Sequence, residues 1–296
     1  MNNDDISEAV RCTAVLADVT ISMWGGERSD TGMLKKVKED AGAVGNVGRV
    51  TKNLLAGADG LLKDTKSAFS AVRMVHYSLT LPWVSDPHAE RQRGPRLLPN
   101  MLWDRYTTAV ATKRREAYDI RDKFITEYPD LIERAKHNLG GLADDGDYPT
   151  AEQVRDQFKI GLDFEPIPAG VAFRGLPDQV LGKLAASLQR KQERMILSAR
   201  DAMWAEARER LMHFATRLSD PEAKFRLTTV ESVRELVTLL PAWNVSGDDR
   251  VLEVAGELEE MLHGIGAEDL RKDALVRSNI SKQAQEVVDK LSQWVL

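Results

Sequence analysis

The chain reads as mainly α: a long antiparallel helical hairpin, coiled-coil-like, with a small β-sheet at one end and a C-terminal helical bundle. Three observations carry that expectation. Between 176 and 218, Leu197, Trp204, Leu211 and Leu218 recur at a seven-residue step, with Ala207 and Phe214 in the half-steps. One narrow apolar seam therefore runs along a helix and has to face another helix. From 100 to about 128, Leu102, Tyr106, Val110, Ala117, Ile120 and Phe124 fall on one face of a second helix of comparable length. Only two stretches, 13–24 and 161–168, alternate in the manner of strands. The expected parts are 1–219, the hairpin with its sheet, and 220–296, the helical bundle, or both merged into one continuous domain.

In order, 13–24 is a strand rich in β-branched residues, ended by Gly25-Gly26, after which Ser29 or Asp30 caps a short lysine-bearing helix. Glycines at 42, 45, 48, 57 and 60 suggest short turns joined by flexible joints, and helix resumes from 61 to 79. Residues 81–100 hold Pro82, Pro87, Pro95 and Pro99 with Arg91, Arg93 and Arg96, an irregular loop too long for a plain connector. Asn100 caps the next helix, which Pro129 interrupts, with a further stretch to Gly140-Gly141. Thr150 and Gln153 make a capping box for a short helix. The segment 161–168 ends Glu-Pro-Ile-Pro, and because proline donates no ladder hydrogen bond it belongs at a sheet edge. After the seam helix closes at Ser219-Asp220-Pro221, three shorter helices follow: 228–240, 248–263, and 267–296 broken near Ser278.

Composition narrows the function classes. Among 296 residues, 43% are hydrophobic and 29% charged, with a net charge of -5, which argues against a surface given over wholly to nucleic acid but not against a local basic face. The lone cysteine, Cys12, precludes an internal disulfide and suits a reducing compartment. The first residues are acidic, unlike a secretory signal, and no apolar run approaches the roughly 20 residues that span a bilayer. The expected location is the cytoplasm, without membrane insertion.

No motif specifies a reaction. The five histidines stand more than a helical turn apart, and the glycines match neither a dinucleotide fingerprint nor a phosphate-binding loop. Asp144, Asp145 and Asp147 read as a solvated turn, and Glu257, Glu259 and Glu260 as a solvated helix face; a metal-dependent hydrolase would need such carboxylates to converge. No catalytic residue, cofactor or metal is expected. Two basic clusters stand out: Lys113, Arg114 and Arg115, and Arg190, Lys191 and Arg194. Were the two long helices neighbours, these would join into a phosphate-binding patch, with Trp83 or Trp103 placed to stack on a base. Interleaved acids such as Glu116, Asp119, Glu193 and Glu206 give instead the mixed-sign pattern of ordinary exposed faces.

Three passages carry a family resemblance: Val19-Thr-Ile-Ser-Met-Trp-Gly-Gly-Glu-Arg, Tyr148-Pro-Thr-Ala-Glu-Gln-Val-Arg-Asp-Gln-Phe, and Phe225-Arg-Leu-Thr-Thr-Val-Glu-Ser-Val-Arg-Glu-Leu with Asn244-Val-Ser-Gly-Asp. Together they resemble a bacterial and phage family known as domain of unknown function 3150, over roughly residues 13 to 265. That resemblance implies a phage or prophage setting, partners that include a ring-forming ATPase, and a non-enzymatic accessory role; it supplies no catalytic residues. The expected function is accessory, through protein–protein interaction or self-assembly along the seam formed by Leu197, Trp204, Leu211, Phe214 and Leu218. The alternative is a DNA-binding accessory protein of recombination or replication that uses the basic patch.

Overall fold

A computed structural model describes residues 10–46, 48–84, 94–168, 177–220 and 227–294. The fold is mainly α with a small antiparallel sheet. In chain order the elements are β1 (Ala14–Ser22), β2 (Glu27–Ser29), α1 (Thr31–Asp40), β3 (Thr51–Asn53), α2 (Gly60–Leu79), β4 (Leu81–Pro82), β5 (Arg96–Pro99), α3 (Trp103–Leu139), α4 (Ala151–Gln157), β6 (Lys159–Glu165), α5 (Asp178–Ser219), α6 (Leu227–Trp243), α7 (Arg250–Met261), α8 (Ala267–Lys272) and α9 (Ala274–Ser292). They divide into two compact units: 1–18 with 79–105 and 163–296, and 19–78 with 106–162.

The second unit is built around aromatic packing. Trp24 lies against Phe124 and edge-on to Tyr128, with centroids 6.2 and 5.5 Å apart, while Phe69 meets Phe158 at 5.3 Å. These rings are almost wholly buried, and arrangements of this kind add to the area they remove from water. The Tyr128 hydroxyl donates to the Pro149 carbonyl at 3.1 Å, and burial pushes its pKa up to about 12. Helix α3 passes through Pro129 without the expected interruption. Proline inside a helix costs about 3 kcal/mol, but Phe124, Tyr128, Leu131 and Ala135 are buried on one side of α3, before and after it, and hold both turns in line. Caps fall where the sequence placed them: Asp30 accepts from the Met33 amide at 2.8 Å, and Thr150 with Gln153 completes a reciprocal box.

The sheet runs in the order β4, β5, β1, β6, so β6 occupies the expected edge, but it spans Lys159–Glu165 and ends before Pro166 and Pro168, which lie beyond the strand. Strands β1 and β5 pair antiparallel from Ala14 with Pro99 to Ala17 with Arg96, and β4 adds Leu81 opposite Leu97. Thus the stretch expected to be an irregular loop, 81–100, carries a strand at each end. Arg96 fastens them, its guanidinium donating to the Thr80 hydroxyl at 2.7 Å and to the Thr80 carbonyl at 2.9 Å. Pro87, Arg91 and Arg93 lie outside the described residues, as do Phe225 and Arg226.

In the first unit, the packed face of α5 is covered by α9 and α6, and α6 in turn packs on α7, while the expected hairpin partner, the helix at 103–139, falls from residue 106 on in the second unit. Ser219 meets Ser281 at 2.9 Å, and Trp204 meets Trp294 at 5.2 Å, so α9 runs antiparallel to α5. The expected boundary after 219 therefore falls inside this unit. The break expected near Ser278 comes earlier, at Asp273, whose carboxylate accepts from the amides of Leu275 and Val276 and so caps α9.

Candidate interaction surface

Helix α5 has two stretches with different surroundings. From 192 to 218 its apolar face is covered: Trp204, Ala207, Leu211 and Phe214 are fully buried and Leu218 nearly so. Leu197, expected in the same seam, is 47% exposed, and its neighbour Ile196 is buried in its place. A strict seven-residue step drifts about 20° per heptad around a straight helix, so the seven-residue series does not keep one orientation along α5.

A charged corner locks the covered portion. The Asp248 carboxylate receives Arg250 through Nε at 2.8 Å and Nη2 at 2.6 Å, together with the Trp204 indole N–H at 3.4 Å. The Arg250 guanidinium lies over the Trp294 ring, 4.7 Å from its centroid. The Arg250 guanidinium beside Asp248 holds that carboxyl below the usual carboxylate range, against the opposing effect of burial. Asn244 closes the turn, its side chain accepting from the Asp248 amide at 2.8 Å and donating to the Asp248 carbonyl at 2.9 Å. The Asn244 to Asp248 passage, legible as a turn and a cap, is in fact the joint fixing α7 to α5. Nothing in the sequence signalled Arg250 and Trp294 as its members.

From 178 to 191 the helix is exposed, with only Leu181 and Leu188 partly covered. Val180 and Leu184 are 40% and 37% exposed. Leu181, Leu184, Leu188 and Met195 repeat at intervals of three, four and seven, on the side of the helix where Gln192, Ile196 and Ala199 are buried further along. The apolar stripe thus continues into the exposed part of the helix, beyond Gln192, whose side chain donates to the Pro168 carbonyl at 2.5 Å. Residues 178–191 extend roughly 20 Å at 1.5 Å per residue. Lys191 occupies the position where a fourth apolar residue would stand, which masks this stripe in the sequence.

The basic residues fall into two groups in different units. Lys113 is neutralised by Glu116 at 2.7 Å, Arg114 leans on the Tyr118 ring at 5.7 Å from its centroid, and Arg115 is exposed. Arg190, Lys191 and Arg194 share exposed turns of α5, Arg190 donating to the Ala186 carbonyl at 3.1 Å. Of the tryptophans expected near a base, Trp83 is buried and Trp103 packs on Phe164, with centroids 4.7 Å apart.

The acidic turn at 144–147 is an ion-paired clasp rather than a freely solvated one. Arg28 bonds Asp147 at 3.1 Å and the Gly146 carbonyl at 2.8 Å, Lys52 pairs with Asp147, and Lys136 bonds Asp145 at 2.6 Å. The Asp147 hydrogen bond holds the Lys52 ammonium above its ordinary pKa. Elsewhere, an open groove of about 960 Å³ between α6 and α7 is bordered by Glu231, Glu235, Glu259 and His263. Two arginines already take up Glu235, Arg105 and Arg210. Among the described residues, no group of three His, Cys, Asp or Glu side chains could hold a metal ion, and no helix is long and apolar enough to cross a membrane. No protein family, curated protein or solved structure matches the chain.

Proposed function

We propose that the chain is a non-enzymatic accessory protein that acts by pairing the exposed 178–191 face of α5 with another protein surface. The observation that supports this reading is the continuation of the apolar stripe, Leu181, Leu184 and Leu188, into the exposed first turns of α5, ahead of the buried positions that begin at Gln192. Exposed leucines scattered singly need no explanation, but a row at helical spacing is the pattern by which a helix docks into a groove or onto another helix. The phage or prophage setting, and a ring-forming ATPase as partner, are carried only by the resemblance of the three passages quoted above. The test compares the full chain with a Leu184→Glu, Leu188→Glu variant in light scattering and in affinity capture from extracts of its native cell. Loss of association in the variant, with an unchanged melting temperature, supports the reading. Association that survives the two glutamates overturns it.

The DNA-binding alternative has its own support in Arg190, Lys191 and Arg194, which lie exposed on neighbouring turns. Its measurement is single-stranded DNA affinity against salt. Phosphate binding falls steeply as salt rises and vanishes when all three residues are changed to Glu. With a net charge of -5 and Lys113 already paired, the expected outcome is negligible binding at physiological ionic strength.

A further inference from the structure

We propose that the occupant of the exposed α5 face is the same face of a second copy, paired antiparallel about the Leu184–Leu188 step. The inference rests on the reading of this face as an interaction surface and names what covers it.

The heptad assignment decides the orientation. Leu181 and Leu188 take the a positions, and Leu184 and Lys191 the d positions. In a parallel pair, Lys191 would meet Lys191 across a d layer, two like charges in a desolvating contact. In an antiparallel pair each a residue faces a d residue. Leu184 then packs on Leu188 of the second copy, and its symmetry mate repeats the contact, giving two leucine layers at the centre. Lys191 comes to lie against Leu181 of the second copy, covering it with methylene groups while the ammonium reaches past it into water.

Charge follows the same choice. Asp178, in the first turn of α5, is brought within about a turn of Lys191 of the second copy in the antiparallel register, and is far from it in the parallel one. At the centre, Ala185 and Ser187 flank the leucine layers, and side chains this small let two helices approach closely. Helix ordering, the usual obstacle to so short a pairing, is already met, because 178–191 is continuous with the packed portion of α5. Gln192, buried and donating to the Pro168 carbonyl, marks the other end of the exposed stretch.

The test uses the full chain in a Cys12→Ser background, Cys12 being the one native thiol. The expected mass by light scattering is twice that of the chain. Antiparallel pairing sets Ser187 beside Ser187 and Ala185 beside Ala185 of the second copy. Ser187→Cys and Ala185→Cys should each yield a disulfide-linked dimer on mild oxidation, and Gly182→Cys, on the outer face, should not. A dimer that cross-links through Leu188→Cys but not Ser187→Cys is parallel and overturns the orientation, leaving the interaction surface intact. A single-chain mass at every attainable concentration overturns self-pairing; capture of another protein that is lost in Leu184→Glu, Leu188→Glu would then show that the surface serves a different occupant. A dimer indifferent to those two glutamates overturns both readings.

Discussion

Along α5, residues 192–218 and 178–191 carry apolar side chains at the same spacing and end in opposite environments. The first stretch is covered by α9, α6 and the Asp248–Arg250 corner; the second has only two partly covered leucines. Helical periodicity states that a face is built to be covered. It does not state by what, and here the buried positions of a 42-residue helix all lie from Gln192 onward.

Stability measurements can break that comparison, beginning at its strongest point. Trp204→Ala should cost about 4 kcal/mol, because it removes a fully buried indole that touches Trp294 and donates to Asp248. A melting temperature unchanged within error would mean that this portion of α5 is not the covered one. Ile196→Ala, at a buried position one residue from exposed Leu197, should cost about 3 kcal/mol in chemical unfolding.

Next comes the corner itself. Asp248→Ala removes a bidentate, charge-assisted pair and should cost about 2 kcal/mol at neutral pH. Because Arg250 depresses the folded-state pKa of Asp248 below its unfolded value of about 3.9, the carboxylate's contribution is complete above that value and is lost as pH falls through the folded one. The difference between wild type and variant in urea titrations should therefore shrink once pH drops below about 4. A difference that stayed constant into strong acid would show that the charge on Asp248 is not what holds the joint.

Much of the architecture was legible, for reasons that particular residues make plain. The seam from Trp204 to Leu218, the caps at Asp30 and Thr150, and the strands β1 and β6 each rest on local periodicity or local hydrogen bonding. What escaped depended on the rest of the chain. Strands β4 and β5 are two and four residues long and contain Pro82 and Pro99, too short and too irregular to show a period of two. Helix α3 crosses Pro129 because packing outweighs propensity. The identity of the helices covering α5 is a tertiary choice that no spacing encodes. Asp273 carries a cap signal, with the apolar run Ala-Leu-Val behind it, but the nearly continuous helix pattern on both sides obscures it. The basic clusters were legible as clusters, but whether they join was not, and they fall on separate units.

The smallest effect is the sharpest probe of where cover ends. Leu197 repeats the seven-residue step of Trp204, Leu211 and Leu218, so by spacing alone Leu197→Ala should cost as much as any other seam truncation, 2 kcal/mol or more on the order typical of buried leucine. By environment it should cost less than about 0.5 kcal/mol, since nearly half of its surface already faces water. The helix propensities of leucine and alanine differ little, so the substitution isolates burial from backbone preference. Equilibrium unfolding in urea separates the two expectations. A loss near that of Ile196→Ala would mean that α5 is rotated from the orientation described and that the stripe at 181–188 faces elsewhere. A negligible loss fixes the rotation of the helix at the point where its covered portion gives way to the exposed one.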